Sequence, residues 1–399
     1  MLVERDFALD DDATAEVAAA EAAIARLNAD AANLINTDLA NTRLINTEPF
    51  DRMLLRAEAI SSSRIKGLDV PPRHVLHAEI VRDLATRPRE VIAAVVGNID
   101  ALMHGVERLR AGDQISVNLL LELHRRLLTG TRLQEYGGRF RTIQNWVGGR
   151  SDNPGSAVFI PPSPEYVADL VTDLISFAND DRLPAVAQAA IVQAHFETIR
   201  PFMHGNGRLG RVLSQLVLRH RGLAPRLLPP VSVVLATRKR AYYTALAGFR
   251  YRGSAGGEEA RAGVSRWVSR YSAVCVHAVA EADWLVTRAR RVQDAWRERA
   301  GLLRAHSAVS RLISALIGAP VVNAGSAAFL IGRKYYAANS AISALVNAGV
   351  LHQINDGNHN RVYEAPDIIS IYAALRRQLG NSYAGTMAWG APYVGRNRS

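Results

Sequence analysis

The segment FETIRPFMHGNGRLGR, residues 196–211, decides the fold and the candidate site of this 399-residue chain. Its turn at 205–207 reads Gly-Asn-Gly, and glycines let a backbone turn tightly and direct its N–H groups inward. A helix is predicted to begin at this turn, so the positive end of its dipole points to the same place. Arg208 and Arg211 lie three residues apart on one face of that helix, within reach of a bound anion. The segment therefore predicts a site for phosphate groups.

Two residues just upstream of the turn are unusual for a site of acid–base or metal chemistry. Arg200 carries a guanidinium that stays protonated at physiological pH, so it cannot act as a general base. His204 offers an imidazole, which suits zinc or other transition metals better than Mg²⁺. No other histidine shows metal-ligand spacing, and His124, His195 and Glu197 are interpreted as structural or surface residues within helices. Taken alone, the segment is also compatible with an ordinary tight turn beside two surface arginines.

The composition favours a soluble protein with an anionic ligand. The formal net charge is +11, which fits a nucleotide, a nucleic acid or an acidic partner, and equally a solvated basic surface. The single cysteine excludes an internal disulfide and fits a reducing cytoplasm. Apolar runs such as VSVVLA at 231–236 are far too short to span a bilayer, and the N-terminus lacks a signal-peptide pattern. We therefore expect a cytoplasmic protein without a membrane contact.

The periodicity of the chain predicts a mainly α-helical protein. Helical patterns cover 12–28, 51–61, 74–130, 164–178, 184–199, the segment after the motif up to Gly222, and much of 236–300. The pattern breaks at 136–164, where glycine, proline and asparagine surround the short β-like runs FRTIQNWV and AVFIP. We interpret that segment as a hairpin, or flap, that projects from a helical body.

Residues 304–376 are predicted to form a separate unit of three helices and a small hairpin, the pattern of a winged helix-turn-helix. Its predicted recognition helix is 334–349, and the turn NDGNHN lies between its two strands. The candidate DNA contacts are Arg333, Lys334, Asn339, Ser340 and Arg361. Only three of them are basic, which is few for a DNA-reading helix. The unit is therefore compatible either with DNA binding or with protein contacts such as dimerisation.

Five segments are expected along the chain. They are an N-terminal helical segment at 1–75, a core at 76–275, a connecting helix at 276–303, the winged helix at 304–376 and a loose tail at 377–399.

The motif resembles the signature of the Fic (filamentation induced by cAMP) family of protein adenylyltransferases, His-x-Phe-x-(Asp/Glu)-Gly-Asn-Gly-(Arg/Lys)-x-x-Arg. The matching residues are Phe202, Gly205, Asn206, Gly207, Arg208 and Arg211. The segments 137–149 and 159–164 resemble the family's target-docking flap, and 235–246 resembles the segment that helps to enclose adenine. The segment SSSRIKG at 61–67 resembles an inhibitory helix found before many Fic domains. The resemblance implies a Fic-type helical core with a β-hairpin flap and a C-terminal winged helix.

The resemblance also implies a chemistry. Fic enzymes bind ATP on the Gly-Asn-Gly-Arg loop, and the motif histidine removes a proton from a Ser, Thr or Tyr hydroxyl of a target protein. That hydroxyl then attacks the α-phosphate, and the motif acid holds Mg²⁺. On this basis Tyr242 and Tyr243 are candidates for the adenine contact. Arg141, Thr142 and Trp146 lie on the flap that would align the target as an added strand.

Three positions depart from the family pattern. Arg200 stands at the catalytic histidine, His204 stands at the Mg²⁺-binding acid, and Lys66 stands at the inhibitory glutamate, although Ser62 and Gly67 match the inhibitory pattern. A lysine facing Arg211 would repel it. These departures predict a nucleotide-binding Fic domain with weak or absent AMP transfer, and they make Mg²⁺ binding doubtful.

Two alternatives to this interpretation remain open. In the first, His204 serves as a relocated base, with the charge of Arg200 in place of the metal. In the second, the protein is a winged-helix regulator that uses its Fic core as a nucleotide sensor or scaffold.

Overall fold

The computed structural model describes residues 2–381, except 3, 6, 41–46, 82–88, 151–152, 252, 302, 305 and 356–359. These residues form fifteen α-helices and three short strands, and the mainly α-helical class predicted from the sequence is confirmed. The elements are α1 Asp11–Ala40, α2 Glu48–Ile65, α3 Pro72–Val81, α4 Glu90–Arg108, α5 Val117–Leu128, α6 Val167–Ala178, α7 Ala185–Ile199, α8 Asn206–His220, α9 Val231–Thr237, α10 Lys239–Phe249, α11 Glu258–Ala300, α12 Ala308–Gly318, β1 Val321–Asn323, α13 Ala324–Ile331, α14 Tyr335–Asn347, β2 His352–Gln353, β3 Val362–Glu364 and α15 Pro366–Asn381. None of these helices is long and apolar enough to cross a membrane.

Helix α7 forms the centre of the core. Its sequence AVAQAAIVQAHFETI is apolar on nearly every side, as expected of a helix surrounded by protein, and almost all of it is buried. It packs against α6, α8 and α11, while α4 packs against α5 and α8. A Cβ atom at Gly97 in α4 would lie 2.6 Å from the carbonyl oxygen of Leu127 in α5, so glycine permits that close approach. The motif loop between α7 and α8 thus lies on a rigid scaffold.

Helix α11 connects the core to the C-terminal unit. It is continuous over 43 residues, so the expected boundary between residues 275 and 276 falls inside a helix. Near its start, Trp267 donates its indole N–H to the carbonyl of Ala190 at 2.7 Å. Near its end, Trp296 donates to a carboxylate oxygen of Asp367 at 2.8 Å. One helix therefore contacts both α7 and the base of α15.

The C-terminal unit has the element order helix, strand, helix, helix, strand, strand, which is the order of a winged helix-turn-helix. Its sheet has the order β1-β3-β2 with antiparallel pairs, and Tyr363 lies opposite both Val322 and Gln353. The middle of the predicted wing turn, 356–359, and most of the expected tail, 382–399, lie outside the described residues.

The C-terminal unit is fastened to α3 by a compact ion-pair cluster. The guanidinium of Arg73 donates to both carboxylate oxygens of Glu364, each at 2.9 Å. His77 lies 2.7 Å from the same carboxylate. The hydrogen bonds and charges of Arg73 and His77 outweigh burial and hold the pKa of Glu364 below its usual range. Glu364 is buried in β3, so this cluster links the sheet to the core.

Helix α2, which carries the inhibitory-type segment, is held by the C-terminal unit as well as by the core. Tyr372 donates its hydroxyl to the carbonyl of Met53 at 3.2 Å, and Arg64 donates to the carbonyl of Arg376 at 3.0 Å. The helix ends at Ile65 because Gly67 adopts a φ of 92°, which favours glycine. The last turn of α2 is therefore fixed from both sides.

The flap contains less strand than the sequence suggests. In its described residues the pairing consists of two isolated antiparallel bridges, Val147 with Phe159 and Arg150 with Asn153. Gly148 and Gly149 have φ values of 72° and 71°, which interrupt an extended run. The flap is a long loop closed by single bridges rather than a regular hairpin.

Candidate functional site

The motif loop is a tight connection between α7 and α8. Arg200 ends α7 in the left-handed conformation with a φ of 46°, and its N–H donates to the carbonyl of Phe196 at 2.9 Å. Gly205 starts α8 with a φ of 79°, and a Cβ atom there would lie 2.8 Å from a methyl carbon of Leu127. Both constraints require glycine at this position. The loop therefore turns sharply, and the first turn of α8 begins directly at this turn.

The side chain of Asn206 closes the loop. Its Oδ1 accepts the N–H of Phe202 at 3.0 Å, and its Nδ2 donates to the carbonyl of Phe202 at 2.6 Å. These bonds use the amide side chain to fix the loop. As in any α-helix, the N–H groups at the start of α8 have no helical acceptor. Such a helix end attracts anions. At Gly207 a Cβ atom would lie 3.3 Å from Nη1 of Arg211 and 3.4 Å from Oε2 of Glu197. Glycine therefore lets these two side chains pack closely against the first turn of α8.

The two motif arginines have different surroundings. Arg208 is buried and donates one hydrogen bond, from Nη1 to the carbonyl of Ala94 at 2.7 Å. Burial and the charge of Arg211 lower the pKa of Arg208 to about 10. Arg211 donates from Nε to the hydroxyl of Ser62 and from Nη2 to the carbonyl of Ser62, each at 2.9 Å. Its Nη1 also lies 3.7 Å from Oε1 of Glu197. Arg211 is therefore occupied by the protein itself.

Glu197, which the sequence predicts to be structural or at the surface, lies at the candidate site. It is buried beneath the loop, accepts the hydroxyl of Tyr242 and faces Arg211. Tyr242 also accepts a hydrogen bond from Gln193 at 3.1 Å and is fully buried. The expectation that Tyr242 contacts adenine is thus corrected, because no face of its ring is open to a ligand. Tyr243, with 43% of its surface exposed, retains the ability to do so.

The positions of the family's base and inhibitory glutamate carry two positive charges. Arg200 is mostly enclosed, and its Nε is buried without a hydrogen-bond partner among the described residues. Burial lowers its pKa, although Glu197 and Tyr243 act in the opposite direction. Lys66 lies exposed just after α2, and the protein around its ammonium lowers its pKa, as do the charges of Arg200 and Arg208. The cations that act on Lys66 are thus Arg200 and Arg208 rather than the expected Arg211.

His204 is held by its backbone rather than by its side chain. Its carbonyl accepts a hydrogen bond from Nε2 of His124 at 3.0 Å, while Nδ1 of His124 accepts the N–H of Gly138, also at 3.0 Å. This pair of contacts fixes the tautomer of His124 with its proton on Nε2. Burial lowers the pKa of His124 to about 4. The imidazole of His204 itself stacks edge-on against Tyr136, and burial together with Lys66 and Arg132 lowers its pKa.

A Mg²⁺ ion does not fit the residues at this position. Magnesium requires oxygen ligands, usually one or two carboxylates, and His204 offers none. The charges that act on His204 are those of Lys66, Arg132 and Arg208, all of which repel a cation. Across the described part of the chain, no group of three or more His, Cys, Asp and Glu side chains is placed to hold a metal ion.

A comparison with protein families matches the Fic/DOC family over residues 114–218, which include α5, α7, the loop and most of α8. Residues 114–218 are a Fic domain. The chain is 36% identical over 120 residues to protein adenylyltransferase fic-1 of Caenorhabditis elegans, a match that covers 29% of this chain and 22% of that protein. It is 35% identical over 118 residues to protein adenylyltransferase Fic of Drosophila melanogaster, with the same coverage of 29% and 22%. The chain thus spans about a fifth of the length of these relatives.

Two solved structures of Fic proteins align with a larger share of the chain. A Fic family protein from Desulfovibrio desulfuricans G20 aligns with 86% of this chain and 95% of its own, at a TM-score of 0.48 and 22% identity. Fic-1 of Caenorhabditis elegans, residues 134–508, aligns with 69% of this chain and 74% of its own, at a TM-score of 0.45 and 23% identity.

The flap of the Fic domain is anchored to the motif loop by Arg141. Its Nε donates to the carbonyl of Arg200 at 2.9 Å, its N–H donates to that of Pro201 at 2.9 Å, and its Nη2 donates to that of Pro162. The side chain is buried, so Arg141 supports the flap from below and does not face a target. Thr142 is exposed beside it, while Trp146 is half-buried and donates to the carbonyl of Arg150 at 3.0 Å.

Proposed function

We propose that the Fic domain binds ATP at the loop 205–207 and that its AMP transfer is lost or strongly reduced. The observation that carries this proposal is the guanidinium of Arg200, which stands at the end of α7 where the family has its base. A guanidinium accepts no proton at physiological pH. A cytoplasmic location, where ATP is abundant, belongs to the same proposal.

Nucleotide binding is supported by the geometry around α8. The first turn of α8 presents N–H groups, and the buried charge of Arg208 lies on the same turn. Within the described part of the chain, its one hydrogen bond goes to a neutral carbonyl, so the positive charge is left for an anion. Tyr243, exposed on α10, offers an aromatic face to the base. These features suit a phosphate chain joined to an aromatic ring.

Loss of transfer follows from the chemistry that remains. The hydroxyl of a target Ser, Thr or Tyr must lose its proton as it attacks the α-phosphate, and removing a general base costs about 10²–10⁴-fold in rate. His204 is the remaining candidate base, since burial keeps its imidazole neutral at neutral pH. It lies four residues beyond the family position, and an atom displaced by one ångström already costs about 10²-fold. Unchanged AMP transfer in His204→Ala would exclude the relocated base.

A docking role for the flap is part of the proposal. Val158 is 78% exposed, and Ile143 and Ile160 are also exposed, which gives the flap an apolar outer edge. Val147 and Phe159 form an isolated bridge, so this edge carries no regular strand pairing that would exclude an added strand. Such an edge suits an extended segment of a target protein.

Two measurements test the proposal. Calorimetry with ATP tests binding, and we expect Arg208→Gln to reduce affinity about tenfold or more, because a charged hydrogen bond is lost. Arg139→Gln, at an exposed arginine outside the site, is the matched control. Incubation with α-³²P-ATP tests transfer. Strong labelling of any protein by the wild type would refute the loss of activity, and absence of ATP binding would refute the nucleotide site.

A second candidate function is regulation through the winged helix, with nucleic acid as the partner. Phe329 and Tyr336 are 84% and 85% exposed, and Tyr335 lies beside them. Arg333 and Lys334 are exposed at the start of α14, where the helix dipole also favours phosphate. A mobility shift with duplex DNA that weakens steeply with salt supports this function. Salt-independent self-association, measured by sedimentation, supports a homodimer instead.

A further inference from the structure

Three cationic side chains around the motif loop, those of Arg200, Arg208 and Lys66, share no acidic partner that is reserved for them in the described part of the chain. Among the described residues, Arg200, Arg208 and Lys66 form no ion pair with a carboxylate. The acid that acts on both Arg200 and Lys66 is Glu197, and it already accepts the Tyr242 hydroxyl and faces Arg211. Buried charges in proteins are ordinarily paired. An anion that pairs with Arg200 and Arg208 stabilises a cluster of this kind.

Two contacts fix this cluster in place. The carbonyl of Arg200 accepts from Arg141, which sets its backbone, and its Nε is enclosed without a partner. The bonds from Arg211 to Ser62 fix the last turn of α2, and Lys66 follows that turn directly. The three cations are thus carried by the ends of α7 and α2 and by the first turn of α8, which these contacts hold in place.

We propose that this site takes its polyphosphate without a metal ion, with the guanidinium of Arg200 and the ammonium of Lys66 in place of Mg²⁺. This inference rests on the proposed nucleotide site and names the form of ligand that the site prefers. Free ATP carries two more negative charges than its Mg²⁺ complex, so it gains more from the three cations. A Mg²⁺ at the position of His204 would also lie near the charges of Lys66, Arg132 and Arg208, and His204 supplies no carboxylate to hold it.

The test compares ATP affinity in excess EDTA with ATP affinity in excess MgCl₂, by calorimetry on the full chain. We expect binding to be about tenfold or more tighter in EDTA. Lys66→Glu should abolish this preference, since it removes one cation and adds a carboxylate.

Arg291→Glu is the control for that variant, because it reverses one exposed charge far from the loop. It lies 24 residues beyond Trp267 on α11, or about 36 Å along the helix at 1.5 Å per residue. It should leave the preference for EDTA unchanged. An equal loss in both variants would overturn the role of Lys66.

The outcomes separate the inference from the proposed function. Tighter binding with Mg²⁺ would overturn the inference and leave the nucleotide site standing. No binding under either condition would overturn both. Inorganic triphosphate serves as a third ligand, and if it binds as tightly as ATP in EDTA, the metal-free polyphosphate site is supported while the contact with adenine is refuted.

Discussion

Arg211 is bound to Ser62 by two hydrogen bonds of 2.9 Å, one to the hydroxyl and one to the carbonyl. Ser62 lies in the last full turn of α2, and Arg211 lies early in α8, just after the motif turn. Arg211 is only 3% exposed, so solvent cannot replace the acceptors that Ser62 supplies. The contact therefore fastens the inhibitory-type helix to the helix that starts the candidate site.

Replacement of Ser62 tests how much this contact contributes. Ser62→Ala removes the hydroxyl acceptor of a buried guanidinium, and we expect the free energy of unfolding to fall by about 1–3 kcal/mol. Ser61→Ala is the matched control, since Ser61 is an equally buried neighbour on α2. Urea denaturation measures both variants. A loss in Ser61→Ala as large as that in Ser62→Ala would contradict the importance of the bond to Arg211.

The buried His124 predicts a pH dependence of stability. Its pKa is lowered from 6.5 to about 4, chiefly by burial, so between those values the unfolded chain binds a proton that the folded chain does not. The free energy of unfolding contributed by this group is therefore complete above pH 6.5 and is lost as the pH falls to 4. We expect a loss of about 2–3 kcal/mol over this range.

The His124→Gln variant isolates that contribution. Its unfolding free energy is compared with that of the wild type from pH 7 to pH 4, and other titrating groups cancel because both proteins carry them. The advantage of the wild type should shrink as the pH falls. A constant difference across the range would show that His124 does not titrate as its burial requires.

Restoring the Fic-family residues at positions 200 and 204 tests whether the loss of AMP transfer is due to these two positions alone. Arg200→His with His204→Asp supplies a base and a carboxylate, and we expect AMP transfer to rise about 10²-fold or more over the wild type. Histidine tolerates the left-handed backbone that residue 200 adopts, so the loop should keep its shape. Automodification with α-³²P-ATP and Mg²⁺ measures the gain.

The two single variants are the controls for restoration, because each lacks one half of the chemistry. The double variant should also reverse the metal preference of ATP binding, since the carboxylate that His204→Asp introduces gives Mg²⁺ an oxygen ligand. A double variant that binds ATP with Mg²⁺ yet transfers no AMP would place a further defect outside these two positions.

The sequence predicts the helical class and the Fic domain because both depend on local patterns. The apolar run of α7 and the turn at 205–207 are visible in consecutive residues. Hydrogen-bond partners that are far apart in the sequence cannot be identified from such local patterns. Glu197 and Tyr242 lie 45 positions apart, and only the packing of α10 against the core shows that they are bonded.

Adjacent residues show the same limit. Tyr242 and Tyr243 have equal claims on adenine in the sequence, yet successive residues on a helix point about 100° apart, so one is buried and the other exposed. Lys66 and Ser62 likewise belong to one motif, and the orientation of the last turn of α2 decides that Ser62 meets Arg211. The boundary expected between residues 275 and 276 likewise lies within α11, whose continuity the local pattern does not show.

Arg141 gives a final prediction, about the flap. Its guanidinium donates to the carbonyls of Arg200 and Pro162, which joins both ends of the flap to the motif loop. Arg141→Ala removes these bonds and leaves partly buried carbonyls without donors. We therefore expect faster hydrogen exchange over residues 143–150 and 153–160 and a loss of about 1–3 kcal/mol in unfolding free energy. Arg139→Ala, two residues away and exposed, should change neither. Because Arg141 also fixes the backbone of Arg200, its loss should weaken ATP binding in EDTA, and intact binding with a loosened flap would show that the two are independent.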